Sequence, residues 1–195
     1  NWAMSDGGTN GNTGYVPWVR VFDRARWHHV AQGLNVVWFF SGAGDAVHLS
    51  LCAATSQYGG TGRTRPRSDH DAIYAEAQLF RARLELPGRL QLDGVDEIDL
   101  GLSDELADAL NPGAIRRVAN YEAAHVCGFR YQRGQMPGDE TLLSDQTALL
   151  RILLDLSETL HDRLGPTGGS APTGSSSAEE LEAVAGVRAL LLAAV

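Results

Sequence analysis

The sequence of 195 residues contains no lysine, and all 16 of its basic residues are arginine. This absence excludes several kinds of active site at once. The chain has no lysine for a phosphate-binding P-loop, none for a Schiff base, and none for a nuclease core of the Asp-Glu-x-Lys type. Any catalytic function would have to depend on other side chains.

Cysteine is scarce, and long apolar runs are absent. Cys52 and Cys127 are far apart and show no Cys-x-x-Cys spacing, which disfavours a zinc finger or a disulfide framework and favours a reducing compartment. No apolar stretch approaches the ~18 residues of a membrane span, and no signal peptide opens the chain. We therefore expect a cytoplasmic protein with no membrane partner and no cofactor. The start at Asn1 is what we expect of a segment of a longer protein.

Positive charge is also limited, because the formal net charge is -8. The two halves of the chain differ, however. Residues 1–92 hold nine arginines against seven acidic residues (+2), and residues 93–195 hold seven arginines against seventeen (-10). A local basic surface on the first half is compatible with DNA binding, whereas strong non-specific DNA affinity is not expected.

The 44% of hydrophobic residues suffices for one buried core. Short β-branched and aromatic runs predict strands at residues 16–22, 34–40 and 46–52, and the turn at 41–45 joins the last two as a hairpin. Because the run at 34–40 is apolar on both faces, we expect it to be a central strand. Residues 98–101 and 124–131 are two further strand candidates.

The remaining segments predict loops and helices. A helix capped by Ser68 or Asp69 follows a glycine- and arginine-rich loop at 59–67 and ends before Pro87. A short helix at 103–110 is expected to end at the Asn-Pro-Gly sequence of 111–113, and a long amphipathic helix covers 139–164. The order of elements predicts an α+β fold with a mixed, largely antiparallel β-sheet packed against helices.

Composition divides the chain into three parts. We expect a folded domain at residues 1–164, a flexible linker at 165–177 that is rich in Gly, Pro, Ser and Thr, and a helical tail at 178–195. The linker and tail would lead to an effector domain outside this sequence.

The most informative motif is G-N-T-G-Y-V-P-W at residues 11–18, where a glycine-rich turn leads into a Pro-Trp pair at the start of a strand. It resembles the signature of the N-terminal DNA-binding domain of McrB-type, modification-dependent restriction enzymes. Further blocks follow in the same order as in that family: the aromatic strand at 33–40, V-H-L-S-L at 47–51, I-D-L-G at 98–101, and L-L-S-D at 142–145.

This resemblance implies a non-catalytic module that binds double-stranded DNA containing 5-methylcytosine and flips the modified base into an aromatic-lined pocket. It also implies a fused or partner nuclease or motor domain. Trp18, Trp38 and Tyr121 fall on positions associated with the pocket or its wall. Leu34, Asn10 and Thr13 fall where the family can place an aromatic ring, and Tyr15 lies within the signature itself.

Arginines supply the expected contacts to the DNA backbone. Arg63, Arg65 and Arg67 lie on the glycine-rich loop, where they could contact phosphates or reach a guanine edge. Arg20, close to Trp18 on the same strand, belongs to a second basic set.

Structural interpretations of the same residues stay open at this point. Trp18 could be a core anchor with a bonded indole, Trp38 a core residue of a two-sided apolar strand, and Tyr121 a packing residue. Three alternating arginines are often a solvated loop. The pair His28-His29 and the triplet at 69–71 could suggest a metal site, although acidic residues at a helix start also act as caps. A protein-interaction module and a small metal-dependent nuclease or hydrolase are the alternative functions.

Overall fold

The computed structural model describes the backbone of residues 2–7, 16–23, 33–58, 64–66, 69–84, 98–102, 108 and 110–164. The proposed linker and tail at 165–195 lie outside the described residues, as do residues 103–107 of the expected short helix. Within the described ranges, no helix is long and apolar enough to cross a membrane.

A five-stranded sheet forms the centre of the fold, in the order β1-β2-β3-β4-β7. Every described pairing in it is antiparallel. Its strands are β1 (Trp2–Gly7), β2 (Trp18–Asp23), β3 (Leu34–Phe40), β4 (Ala46–Ala53) and β7 (His125–Gln132). The predicted α+β class, the central position of β3 and the β3–β4 hairpin are confirmed.

Two parts of the strand prediction differ from the structure. The expected loop at 59–67 contains a strand, β6 (Thr64–Pro66), which pairs with β5 (Ser56–Tyr58) as a separate two-stranded ribbon. Residues 98–101 form no strand; instead, the Leu100 carbonyl accepts a hydrogen bond from the Gly42 amide at 2.7 Å. The segment is therefore hydrogen-bonded to the turn of the β3–β4 hairpin and not to a neighbouring strand.

Three helices lie beside the sheet: α1 (His70–Arg81), α2 (Pro112–Ala123) and α3 (Asp139–Leu164). The predicted cap of α1 is confirmed, because the Asp69 carboxylate accepts from the Ala72 amide at 3.1 Å. The bounds of the long helix are also confirmed.

The helix α2 was not expected from the sequence, and the Asn-Pro-Gly at 111–113 begins it. Asn111 is the N-cap of α2 and accepts from the Ala114 amide at 2.9 Å through its side chain. Pro112 occupies the first helical position, where a missing N–H costs nothing and the fixed φ favours the helix. The same three residues therefore start a helix, while most of the expected helix at 103–110 lies outside the described residues.

The long helix α3 covers one face of the sheet. Trp38 of β3 donates its indole N–H to the Gln146 side-chain oxygen at 2.8 Å, and the Tyr131 hydroxyl bonds the Asp145 carboxylate at 2.9 Å. Leu149 and Leu153 of α3 are fully buried in the same core. This face is consequently closed.

The helices α1 and α2 pack on the other face. The Tyr121 ring of α2 contacts Phe39 of β3 with 5.3 Å between centroids. Arg81, at the end of α1, donates from Nε to the Val126 carbonyl and from Nη2 to the His125 carbonyl, each at 2.9 Å. These two bonds join α1 to the beginning of the edge strand β7.

Buried polar groups and a close backbone approach mark the pairing of β4 with β7. The His125 ring is hydrogen-bonded to the Ser50 hydroxyl, and both residues are buried. Gly128 lies opposite Ser50, and a Cβ at this position would collide with the Leu49 carbonyl oxygen. Glycine is therefore required there by space rather than by backbone conformation.

Candidate nucleic-acid interface

An open hollow lies on the second face of the sheet, beside α2. It contains about 450 Å³ of empty space, part of it solvent at the mouth. Side chains of β2 and β3 form its floor and Tyr121 of α2 forms a wall, while the end of β4 and the start of β5 complete the rim. The hollow is therefore built by elements that are far apart in the sequence.

Trp18 and Arg20 enter the hollow from β2. Trp18 pairs with Phe39 and Arg20 with Val37, and side chains alternate along a strand, so these four residues share one face. The Arg20 guanidinium lies over the indole, with its Cζ 4.8 Å from the Trp18 ring centroid. Burial lowers the pKa of Arg20 to about 10, which leaves the group charged at neutral pH.

Tyr121 contributes a second aromatic ring with a polar end. Burial raises the pKa of its phenol, while the neighbouring Trp18 indole and the guanidinium groups of Arg117 and Arg20 act in the opposite direction. The phenol is neutral at physiological pH and can donate a hydrogen bond. Trp18 and Tyr121 thus face the same hollow, one from the sheet and the other from a helix.

Asn35 lies on the floor of the hollow and was not singled out from the sequence. It is 5% exposed and sits on β3 opposite Cys52, which also lines the hollow. The signal was a single polar residue in the otherwise apolar run L-N-V-V-W-F-F. When that run is interpreted as a uniformly apolar strand, its single polar residue is overlooked.

Comparison with protein families gives one match, to the family described as "MrcB-like, N-terminal domain", over residues 3–158. The chain belongs to this family. The resemblance to the N-terminal domain of McrB-type restriction enzymes is thereby confirmed, and it supports a DNA-binding module of such a system. Comparisons with curated proteins and with solved structures found no match.

The MrcB-like domain does not bring all the expected base-contact residues together. Trp38 is 1% exposed, is bonded to Gln146, and stacks on Tyr131 at 5.9 Å on the face covered by α3. Leu34 is fully buried on that same face. Neither residue lines the hollow beside Trp18, because odd- and even-numbered residues of β3 point in opposite directions.

Other expected contact residues fall outside the described part of the chain. These are Asn10, Thr13, Tyr15, Arg63 and Arg67. The backbone of Arg65 belongs to the short strand β6, and its side chain is not described. Their roles at the interface remain predictions.

The described residues of the domain contain no group of three or more His, Cys, Asp or Glu side chains that could hold a metal ion. In the triplet at 69–71, Asp69 caps α1 and His70 contacts Asp71 at 3.5 Å. The pair His28-His29 lies outside the described residues. The triplet is therefore explained by the start of a helix.

Proposed function

We propose that this MrcB-like domain recognises DNA carrying 5-methylcytosine, by everting the modified base into the hollow that Trp18 and Tyr121 line. The proposal depends on one observation above all: two aromatic side chains from distant parts of the sequence line the same open hollow. An aromatic ring can stack on any nucleobase, and an open mouth admits one from outside. The chain itself is a targeting module, and cleavage would belong to a fused or partner nuclease or motor domain.

The free-energy cost of everting a base is similar in size to the gain from stacking it on aromatic side chains. Removing a base from the duplex costs a few kcal/mol of stacking and pairing. Stacking on an aromatic side chain returns about 1–3 kcal/mol for each base, and Trp18 and Tyr121 together offer two such contacts. Burial of the added methyl group contributes only about 0.8 kcal/mol. The modified base is therefore preferred by a modest factor, which the apolar Val37 and Phe39 on the floor support.

Arg20 must move for the base to use the indole face that it covers. A cation–π contact contributes about 0.5–2 kcal/mol, which is comparable to one base stack. On the indole face itself, a base would therefore replace the guanidinium with a contact of similar magnitude. The displaced guanidinium, still charged, would then be available to a phosphate of the everted strand. Arg63, Arg65 and Arg67 are proposed to make further phosphate contacts.

The test is a set of short duplexes that are identical except at one central position, which carries 5-methylcytosine, cytosine or an abasic residue. Fluorescence anisotropy at several salt concentrations should give the tightest binding to the methylated duplex, and each affinity should fall as salt rises. A 2-aminopurine beside the modified position should brighten as its neighbour unstacks. Equal affinity for the methylated and unmethylated duplexes at every salt concentration would contradict the proposal.

A further inference from the structure

Asn35 has an environment that its role in the fold does not explain. The residue lies on a central strand and is 5% exposed. The residue lines the open hollow, and its amide is not among the fully buried polar groups that lack a hydrogen bond in the described part of the chain. The adjacent hollow-lining positions on β3, Val37 and Phe39, are apolar.

A polar side chain is unusual at this position of β3. Asn is disfavoured in strands, and an apolar side chain would satisfy the pattern of β3 better. An amide that borders an open hollow can exchange water for hydrogen bonds to a ligand that enters.

The position of Asn35 indicates what that ligand offers. The residue lies opposite Cys52 of β4 and two positions along the same face of β3 from Val37, which pairs with Arg20 of β2. Trp18 and Tyr121 line the same hollow. A ring stacked on those groups would present its edge, rather than its face, to part of the lining. The edge of a nucleobase carries adjacent donors and acceptors, and an amide carries one acceptor and two donors.

We propose that Asn35 hydrogen-bonds the Watson–Crick edge of the everted base. In cytosine and 5-methylcytosine the exocyclic N4 amino group would donate to Oδ1, and ring N3 would accept from Nδ2. This inference rests on the proposed function, since it names a polar contact within the same hollow. The amide can rotate by half a turn, so it can match other patterns of donors and acceptors on a base edge. We therefore assign to Asn35 the orientation of the everted base, whereas the apolar lining selects the methyl group.

The first experiment compares wild type with Asn35→Leu, which branches at the same atom but carries no polar group. We expect two opposite changes: a melting temperature equal to or a few degrees above that of wild type, and an affinity for the methylated duplex about tenfold or more lower. The affinity for the abasic duplex should stay unchanged, because no base is present to be bonded. Asn35→Ala is the second variant, since it leaves more room in the hollow and still removes the amide.

A chemical substitution on the DNA tests the same hydrogen bond from the side of the base. A duplex with 5-methyl-2-pyrimidinone at the central position lacks the N4 amino group and retains the methyl group and N3. Because the analogue also pairs less well with guanine, the informative quantity is the ratio of the affinities for the two duplexes. This ratio should favour 5-methylcytosine more strongly in wild type than in Asn35→Ala.

The outcomes separate the two proposals. If wild type shows no preference for the methylated duplex, the proposed function fails whatever Asn35 does. If wild type shows the preference and both Asn35 variants bind the methylated duplex as tightly as wild type does, the role of Asn35 alone is overturned. A marked fall in the melting temperature of Asn35→Leu would indicate a structural hydrogen bond and would also contradict the inference.

Discussion

Trp18 and Trp38 lie on neighbouring strands but on opposite faces of the sheet, because Trp18 pairs with Phe39 and Trp38 pairs with Val19. Trp38 is sealed under α3, whereas Trp18 is partly exposed at the hollow. Two residues of the same type therefore serve different purposes. Trp38 belongs to the packed core, whereas Trp18 lines the hollow, where we propose that it meets a base.

Trp18→Ala should weaken binding to the methylated duplex by about tenfold or more, since one base–aromatic stack is lost. Binding to the abasic duplex should change much less. Fluorescence anisotropy on the two duplexes measures both effects. An equal loss on both would indicate that Trp18 supports the shape of the surface rather than a base contact.

Trp38→Phe should lower the free energy of unfolding by about 1–3 kcal/mol, because the Gln146 side-chain oxygen loses its donor inside the core. Gln146→Leu should do the same by leaving the indole N–H unpaired. The double variant should lose less than the sum of the two, which urea unfolding followed by circular dichroism can measure. Strict additivity would show that the bond contributes nothing, and DNA affinity of the folded variants should remain close to that of wild type.

Arg20→Ala should reduce the dependence of binding on salt. Loss of one phosphate contact lowers the slope of log affinity against log salt concentration by about 0.9. The matched control is Arg151→Ala, an exposed arginine of α3 on the other side of the sheet, which should leave the slope unchanged. An unchanged slope for Arg20→Ala would mean that the guanidinium stays over the Trp18 ring in the complex.

Gly128→Ala should destabilise the domain by at least about 2 kcal/mol, because its Cβ would collide with the Leu49 carbonyl oxygen of the paired strand. Gly138→Ala is the control, since a Cβ there would meet nothing within 4 Å. Urea unfolding of the two variants tests the difference. Similar midpoints would show that β4 and β7 can separate slightly at this point without cost.

The free energy of unfolding should already fall at pH values above those at which most carboxylates titrate. Burial lowers the pKa of His125 to about 3 and also lowers the pKa of His48, whereas a histidine in the unfolded chain titrates near 6.5. Below pH 6.5 the unfolded chain therefore binds protons that the folded domain does not, and the free energy of unfolding falls as pH falls toward about 4. Each histidine contributes at most about 1.4 kcal/mol per pH unit.

Urea unfolding between pH 8 and pH 4.5 should show a plateau above about pH 7 and a decline below it. His125→Gln should flatten part of that decline. A stability that stays constant from pH 7.5 to pH 5 would contradict the buried, neutral state of both rings.

The parts of the fold that the sequence predicted well are those with strong local patterns. The strand β3 is a continuous apolar run bounded by turn residues, and α3 has a long amphipathic repeat, so both bounds agree with the structure. The strand β1 was not predicted, because its six residues depend on pairing with β2 rather than on a pattern of their own. The sequence Asn-Pro-Gly is compatible with the end of one helix and with the start of another, so the start of α2 at Pro112 was not predicted.

The candidate site was predictable only in part. The motif at 11–18 pointed to Trp18, and similarity pointed to Tyr121, but without α2 no physical argument brought the two rings together. A strand that is apolar on both faces lacks the alternation of polar and apolar residues that would indicate which face of the sheet carries Trp38. Asn35 could have been found as the polar exception in that strand, provided that the hollow on its side had been known.

The two hydrogen bonds from Arg81 to the start of β7 have a consequence for the behaviour of the protein in solution. An edge strand offers unpaired backbone groups that act as a template for another chain and so promote aggregation. At His125 and Val126 a charged side chain already occupies the carbonyl groups. A chain that added a strand at this end would have to displace the guanidinium. This contact therefore disfavours edge-to-edge association of sheets at the start of β7.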